Sequence, residues 1–402
     1  MQPIIVQKYG GSSIKDTNHI KNTANRIKSY QNQSYQVVVV VSAMGKTTDT
    51  LLSLAKEIST TPSKRELDVL LSTGEQISIA LLSMALNEIE IDTISLTGSQ
   101  CGIKTDSVHS NARIENIDSE RILSELDNKV VIVAGFQGIN EKGDITTLGR
   151  GGSDTSAVAL AAALNAEKCE IYTDVDGIYS ANPRIIPNAR KLDTISYDEM
   201  LEMAKLGAQV LHPRSVELAK NYQVKLEVKS SLNNNSGTKI IGEINMEKIQ
   251  IRGITSEDSI ARISITRVPD KPGIAYKLFK TLSDNSVSID MILQNLTHEN
   301  VNDISFTTPI AELNKVVPIV KDFAKNIGAE DVIIKDNVSK ISLIGTGILG
   351  HGEIASMFFE TLSNLKINIE MISTSETKIS CIIDKSHSLI ATKKLHEIFF
   401  ES

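Results

Sequence analysis

The chain has no tryptophan, only three cysteines in 402 residues, and an aromatic content of 4%. Cys101, Cys169 and Cys381 stand far apart and lack metal-ligand spacing. That excludes a disulfide-stapled scaffold or a zinc ribbon, and reads as buried or free thiols of a reducing cytoplasm. No apolar run reaches the roughly 18 residues of a membrane-spanning helix. The opening Met1-Gln2-Pro3-Ile4-Ile5-Val6 enters a strand at once, with no basic n-region or cleavage site. Basic residues are not in excess: 42 Lys and Arg against 49 Asp and Glu give a net charge of −7. There is no electrostatic footprint for nucleic acid. The seven histidines show no H-E-x-x-H-like spacing, so no metal site is expected. What remains, 41% hydrophobic and 23% charged, is a soluble globular composition. At roughly 150 residues per domain, two or three domains are expected.

Three glycine-bearing turns organise the first half. They are Lys8-Tyr9-Gly10-Gly11-Ser12-Ser13, Ser42-Ala43-Met44-Gly45 and Gly149-Arg150-Gly151-Gly152-Ser153-Asp154. Each lies between an apolar strand-like run and a helix-like segment. Glycine lets backbone N–H groups approach a phosphate, and a helix N-terminus adds donors and a favourable dipole. Lys8 and Arg150 add positive charge and Asp154 a carboxylate. The combination points to phosphoryl transfer, which is mostly positioning and charge neutralisation. Over residues 1–230 short apolar strands alternate with amphipathic helices, implying an α/β layer sandwich. Val37 to Val41 is apolar at every position, as in a strand covered on both faces. The ligand site is expected at the carboxyl ends of the strands, where all three glycine turns are placed.

Other motifs have plainer alternatives. Gly45-Lys46-Thr47 is not a P-loop, because position 40 is Val40 where that motif needs glycine. Thr47-Thr48-Asp49 fits a helix N-cap, with or without binding. Gly74 inside a helical pattern costs about 1 kcal/mol relative to alanine, so a local reason is expected. Its neighbour Glu75 could be an exposed helix charge. An Asp or Ser N-cap would explain Ser153 and Asp154, but not Arg150 among the glycines. Thr173-Asp174-Val175-Asp176-Gly177 is either a hairpin corner or a loop gripping a nucleotide, with Asn182-Pro183-Arg184 downstream. Gly345-Thr346-Gly347-Ile348-Leu349-Gly350 fits a dinucleotide pattern, but too little chain follows for such a sheet. His212, before Pro213, reads as structural.

Composition then shifts. Ser230–Gly237, with Asn233-Asn234-Asn235, reads as a polar linker. After it, Leu278 to Ser283 resembles Phe358 to Ser363, and Ile289 to Ile292 resembles Ile369 to Ile372. Both matches share one offset of 80 residues (Thr281 to Thr361), which marks two copies of a module. The first copy is expected to have four strands (261–267, 287–294, 303–308, 331–336). The second has three (340–344, 367–373, 378–383) and then a last helix. Residues 249–255 form a spare β-rich run, expected to cross over and complete the second sheet, since a missing strand would leave an unpaired edge.

Together these motifs resemble the aspartate kinase family of the amino acid kinase superfamily. The resemblance covers nearly the whole chain: Lys8–Ser13, Ser42–Asp49, Ser72–Gln76, Gly149–Ser156, Thr173–Tyr179, Leu211–Ser215 and the repeat as tandem ACT modules. It implies an α/β, three-layer sandwich with a mainly parallel sheet at 1–235. Two interleaved ferredoxin-like βαββαβ ACT modules follow at 248–402: 261–337, and 338–402 with strand 249–255. It implies transfer of phosphate from MgATP to the β-carboxylate of L-aspartate, the first step toward lysine, threonine and methionine. Mg2+ would be held mainly by the nucleotide phosphates. By motif, Lys8 and Asp154 are the catalytic pair. Tyr9, Gly10, Gly11, Ser12, Ser42, Thr173, Asp174, Tyr179, Asn182 and Arg184 join Lys8 around ATP. Gly45, Thr47, Thr48, Glu75, Arg150, Gly151, Gly152 and Ser153 hold aspartate. Lysine, threonine or both would act as effectors at Asp270, Gly273, Ile274, Ala275, Gln294, Asn295, Ser373 and Ser375, in a homodimer or higher homo-oligomer formed through the ACT modules. Two departures are His351-Gly352-Glu353, where the family often has proline before glycine, and Lys229, where arginine is frequent.

Two other readings remain open at this stage. A glutamate-type amino acid kinase would differ in acceptor, and the tandem repeat argues against it. A catalytically silent amino-acid sensor would have decayed at Lys8, Arg150 or Asp154, and all three are present.

Overall fold

A computed structural model describes residues 2–208, 210–242, 250–296, 301–348 and 351–401. Ile249, Leu349, Gly350 and Ser402 therefore lie outside the described residues. The chain divides into two compact units, one of residues 1–179 and 190–245, the other of Ser180–Ala189 with 246–402.

The first unit contains strands β1 (Ile4–Tyr9), β2 (Gln36–Val41), β3 (Thr93–Leu96), β4 (Ile103–Thr105), β5 (Ile114–Ile117), β6 (Val130–Ala134), β7 (Gln137–Ile139), β8 (Ile145–Thr147), β9 (Lys168–Thr173), β10 (Ile178–Tyr179), β11 (Lys191–Leu192), β12 (Thr194–Ser196), β13 (Leu226–Ser230) and β14 (Thr238–Ile241). Its helices are α1 (Thr17–Gln31), α2 (Thr47–Ile58), α3 (Lys64–Asn87), α4 (Glu120–Leu126), α5 (Gly152–Ala163), α6 (Tyr197–Lys205) and α7 (Pro213–Tyr222). The central sheet runs β12-β14-β13-β9-β1-β2-β6-β3. Every pairing in it is parallel except β13 with β14. Side chains alternate across it. Ile5, Tyr9, Val37, Val39 and Val41 meet α1 and α3 in one core, while Lys8 faces α5 on the opposite side. Both faces are covered, which is why all of Val37 to Val41 are buried.

Two features depart from the sequence expectation. Ser230–Gly237 is not a linker between domains but the connection of an antiparallel pair, because β14 returns to the central sheet with Ile240 fully buried. A small second sheet, β5-β4-β7-β8, was not foreseen, and the third glycine turn leaves its strand β8 rather than a strand of the central sheet. α3 is long and apolar enough to cross a membrane by length and composition. Here it is a core helix, with Leu82 and Leu86 in the sheet core and Asp68 and Glu75 buried among protein partners.

The second unit has strands β15 (Gln250–Pro269), β16 (Ile292–Leu296), β17 (Val301–Pro309), β18 (Asp331–Thr346), β19 (Ile369–Ser375) and β20 (Lys378–Asp384), with helices α8 (Ile274–Asp284), α9 (Leu313–Ile327), α10 (Gly352–Asn364) and α11 (Ser388–His396). They form one sheet in the order β16-β17-β15-β18-β20-β19. Each of the two central strands serves both repeats. The first half of β15 pairs with the second half of β18 (Ile254 with Leu343), and the second half of β15 with the first half of β18 (Ile263 with Ile334). Register shifts around Ile260 mark the join. Repeat-equivalent carboxylates close it from both sides. Asp290 of the first copy pairs with the almost fully buried Lys340, and Glu370 of the second pairs with Arg262 at 2.8 Å. Burial works against the Lys340 charge, but Glu257 and Asp290 outweigh it and hold its pKa above the usual lysine value.

Ile254 belongs to the core of the second copy, with Ile341, Leu343 and Phe358. Ile254→Ala is expected to cost about 2–5 kcal/mol. In hydrogen exchange of the full chain, amides of Gly352–Asn364 and Lys378–Asp384 should lose protection while those of Ile274–Asp284 keep theirs. Equal loss in both sets would show that the crossing strand does not serve the second copy in particular.

Candidate active site

The first two turns are built on each other. Gly10 N–H donates to Tyr172 O (3.3 Å), Ser42 N–H to Tyr9 O (3.1 Å), and Gly45 N–H to Gly11 O (3.1 Å). A side chain on Gly11 would put its Cβ 2.8 Å from the Ala43 carbonyl oxygen, so no other residue lets the turns approach this closely. Lys8 then joins the third turn: its Nζ lies 2.6 Å from Asp154 Oδ1, with side-chain exposures of 12% and 11%. The cap of α5 is Gly151 at φ 66°, with no side-chain cap bond. The capping alternative for Ser153 and Asp154 is thereby excluded, and Asp154 is free to pair with Lys8.

Glu75 is not an exposed helix charge. It is 3% exposed, and its Oε1 accepts the Ala43 N–H at 3.0 Å. Its Oε2 is buried with no hydrogen-bond partner among the described residues. Burial raises its pKa from 4.5 to about 7, against a smaller opposing effect of the Ala43 N–H. Gly74 is explained by the same approach, since a Cβ there would stand 2.8 Å from that of Ala43. Thr47 is the first residue of α2 rather than its cap, and its hydroxyl donates to Met44 O. Thr48 is half-buried beside it.

The third turn is held from below by Asp68, which sequence reasoning missed, and by Arg214 and His212, the latter structural as expected. Asp68, one side of α3 with Glu75 seven residues on, is fully buried. It accepts from Ser110 N–H, Ser110 Oγ, Thr147 Oγ1 (2.6 Å) and faces His109 Nδ1 (2.8 Å). Arg214 donates to Leu148 O and Ala112 O. His212 caps α7 and packs so tightly on Gly151 that a Cβ there would lie 2.2 Å from its own. Burial lowers the His212 pKa, with Asp154 opposing. Arg150 itself is exposed and has no partner among the described residues. The sequence signal for this support was a lone aspartate inside an apolar stretch of helix.

Other assignments are redistributed. Tyr9 offers no side chain to a ligand, a correction: it is fully buried, stacked on Tyr172 at 4.6 Å, and its hydroxyl bonds Gln7. Lys229 is engaged with Glu170 (3.3 Å) and the Tyr30 hydroxyl (3.1 Å). Burial would raise the Glu170 pKa, but Lys229, Lys168 and Tyr30 outweigh it and hold it low. The Thr173–Gly177 segment is no two-residue hairpin, because β10 pairs with the distant β11. Thr173 Oγ1 donates to Asp174, and Tyr179 to Asp176 at 2.6 Å, which raises the tyrosine pKa to about 12. Asn182 and Arg184 fall in the other unit, where Arg184 N–H donates to Asn182 Oδ1. Asp270 accepts from Asn302 Nδ2 at 2.9 Å, and Gly273, at φ 91°, precedes α8. Ile274 and Ala275 open that helix. Gln294 and Asn295 lie on β16, and Ser373 and Ser375 on β19.

Residues 3–230 match the model of the amino acid kinase family, and residues 261–328 and 341–399 each match an ACT domain. The aspartokinase of Geobacillus stearothermophilus is 48% identical over 98% of this chain and 97% of that protein. The chain belongs to the aspartokinase family. Among solved structures, aspartate kinase from Synechocystis matches at 44% identity and a TM-score of 0.57, over 98% of this chain and 69% of that one. E. coli aspartokinase III, crystallised with aspartate and ADP, shares the fold at a TM-score of 0.83 and 24% identity, over 99% and 100% of the two chains. The two ACT matches correspond to the two copies of the repeat.

Proposed function

We propose that the chain transfers the γ-phosphoryl group of ATP to the β-carboxylate of L-aspartate, giving 4-phospho-L-aspartate and ADP in the cytoplasm, at the head of lysine, threonine and methionine synthesis. The observation that carries the choice of an amino acid is Glu75, a buried carboxylate with one oxygen lacking a partner, suited to an ammonium group. Arg150, exposed in the third turn, suits the α-carboxylate as a bidentate donor. A β-carboxylate oxygen attacks the γ-phosphorus in line, and the bond to the β–γ bridging oxygen breaks. The attacking group is already ionised at pH 7, so no general base is required. Lys8 lies against the transferring group, and Asp154 fixes where its ammonium points. Gly11 and the start of α5 offer N–H donors to the phosphates, while the Gly10 N–H, expected to join them, is held by Tyr172 O. Among the described residues no trio of His, Cys, Asp or Glu converges on a metal position. Mg2+ would ride on the nucleotide phosphates and neutralise their charge.

We assign the second unit to sensing lysine, threonine or both. The proposed effector residues Gln294, Asn295, Ser373 and Ser375 sit on β16 and β19, the two edges of the six-stranded sheet. Edges with unpaired backbone groups suit pairing with a second copy, which supports a homo-oligomer joined there.

Turnover should require both ATP and aspartate, with glutamate a far poorer acceptor. Arg150→Lys keeps the charge but loses the fork. Its aspartate KM should rise about tenfold or more, while its ATP KM moves less than about twofold. Equal rises would place Arg150 at the nucleotide instead.

A further inference from the structure

The chain of the first unit makes an excursion. It leaves at Tyr179, runs through ten residues, Ser180–Ala189, that pack with the second unit, and returns at Arg190. The two flanks are paired, Ile178 with Leu192 and Tyr179 with Lys191. Their base is fixed in the first unit. Ile178 N–H donates to Thr238 Oγ1 at 2.8 Å, and Tyr179 to Asp176 at 2.6 Å. Asp176 lies in the Thr173–Tyr179 loop proposed to face the nucleotide.

The tip is fixed just as firmly, and immediately. Ser180 is fully buried. Its carbonyl accepts the Ile254 N–H at 2.7 Å, and its Oγ lies 2.9 Å from His396 Nε2. His396, also fully buried, is stacked on Phe400 at 4.8 Å, and its Nδ1 lies 3.1 Å from Glu401. A serine, an imidazole and a carboxylate in series resemble a hydrolytic triad. With the serine and imidazole wholly buried, no substrate reaches them, and the series serves as an anchor. It ties Ser180 to two parts of the second ACT module: β15 where it pairs with Leu343 of β18, and the last helix α11.

We propose that the Ser180–His396 contact is a positioning anchor through which the second ACT module acts on the Thr173–Tyr179 loop. Tyr179 and Ser180 are adjacent, with Cα atoms about 3.8 Å apart. A displacement of α11 or β15 that carries Ser180 is therefore handed to Tyr179 and Asp176 with almost no slack. Removing the Ser180 hydroxyl takes from the buried His396 Nε2 the group it faces, so the contact has two distinct states, made and broken. The inference rests on the proposed kinase reading, and its test separates the two.

In the full chain, ATP KM and aspartate KM are measured for wild type, Ser180→Ala, His396→Gln, their double variant and Glu401→Gln, each without effector and with lysine, threonine and both. Hydrogen exchange of residues 174–190 is followed in the same proteins. The wild-type change in ATP KM caused by effector should shrink about fivefold or more in Ser180→Ala and His396→Gln. The double variant should be no worse than either single one, as two halves of one contact. Amides at 174–179 should exchange faster in these variants even without ligand. Glu401→Gln, at the surface end of the series, should move the effector response the same way by about twofold, and it decides the matter if the buried variants fold poorly. A wild-type-sized effector response in Glu401→Gln and either buried variant, or unchanged exchange at 174–179, overturns the anchor. A wild type with no ATP- and aspartate-dependent turnover, or none that responds to either amino acid, overturns the kinase reading instead, while the exchange arm still judges the anchor.

Discussion

Lys8→Ala and Asp154→Ala should each lower kcat by about a hundredfold or more, the scale for losing one preorganised electrostatic contact. The pair is 2.6 Å apart and nearly enclosed. Without Asp154, the Lys8 ammonium has no fixed direction and swings with the phosphates it should stabilise. Without Lys8, the Asp154 carboxylate faces a polyphosphate unneutralised, so Lys8→Ala should be the worse of the two. Asp154→Asn keeps the shape and a hydrogen-bonding oxygen and should fall between wild type and Asp154→Ala. The double alanine variant should lose little more than Lys8→Ala, because the two residues act as a unit. Circular dichroism melting separates this from unfolding: Lys8 is near the end of β1 and Asp154 in the first turn of α5, and each variant should retain a cooperative transition. Activity within a few-fold of wild type in either alanine variant would remove that residue from the mechanism.

The local parts of this molecule were legible in the sequence wherever glycine was forced by a close approach. Gly10, Gly11, Gly45 and Gly149 to Gly152 could be read as turns because glycine in such number between strand and helix has few other uses. The 80-residue repeat was legible because both copies kept their helix faces. The parts that escaped are long-range. Asp68 looks like any helix aspartate until Ser110 and Thr147 arrive from distant loops to bond it. Strands β4, β5, β7 and β8 are three or four residues each, too short for a period to declare itself.

The expected strands leave gaps at 256–260 and 337–339. Each is instead an irregularity within one continuous strand, tolerated because β15 and β18 face each other along both copies. The excursion Ser180–Ala189, with Pro183 and Pro187, reads as a loop in any setting. Nothing in its own composition says which unit it packs with, since Ser180 is committed by Ile254 and His396, residues 74 and 216 positions away.

Glu75 gives the site a pH dependence whose sign follows from its burial. The ordinary value of 4.5 is raised to about 7 in the folded protein, mainly by loss of water. The native state therefore holds a proton that the unfolded chain has released, and stability falls as pH rises from about 4.5 through 7. The loss levels off above that, at about 3 kcal/mol for a shift of this size. An ammonium group placed against Oε2 reverses the preference by favouring the carboxylate. Aspartate should then bind chiefly to the ionised form. With half-ionisation near 7, its KM should drop about tenfold between pH 6 and pH 8 and flatten beyond. Glu75→Gln should abolish that dependence and raise aspartate KM about a hundredfold at pH 8, since the ammonium then meets an uncharged group in a dry site. The same variant, without ligand, should be more stable than wild type at pH 8 and close to it at pH 5, because only the ionised carboxylate is penalised. Gain of stability with loss of binding marks a group held for its ligand rather than for the fold. A wild-type aspartate KM that stays level from pH 6 to pH 8, or a glutamine variant that binds aspartate normally, would remove the ammonium from Glu75.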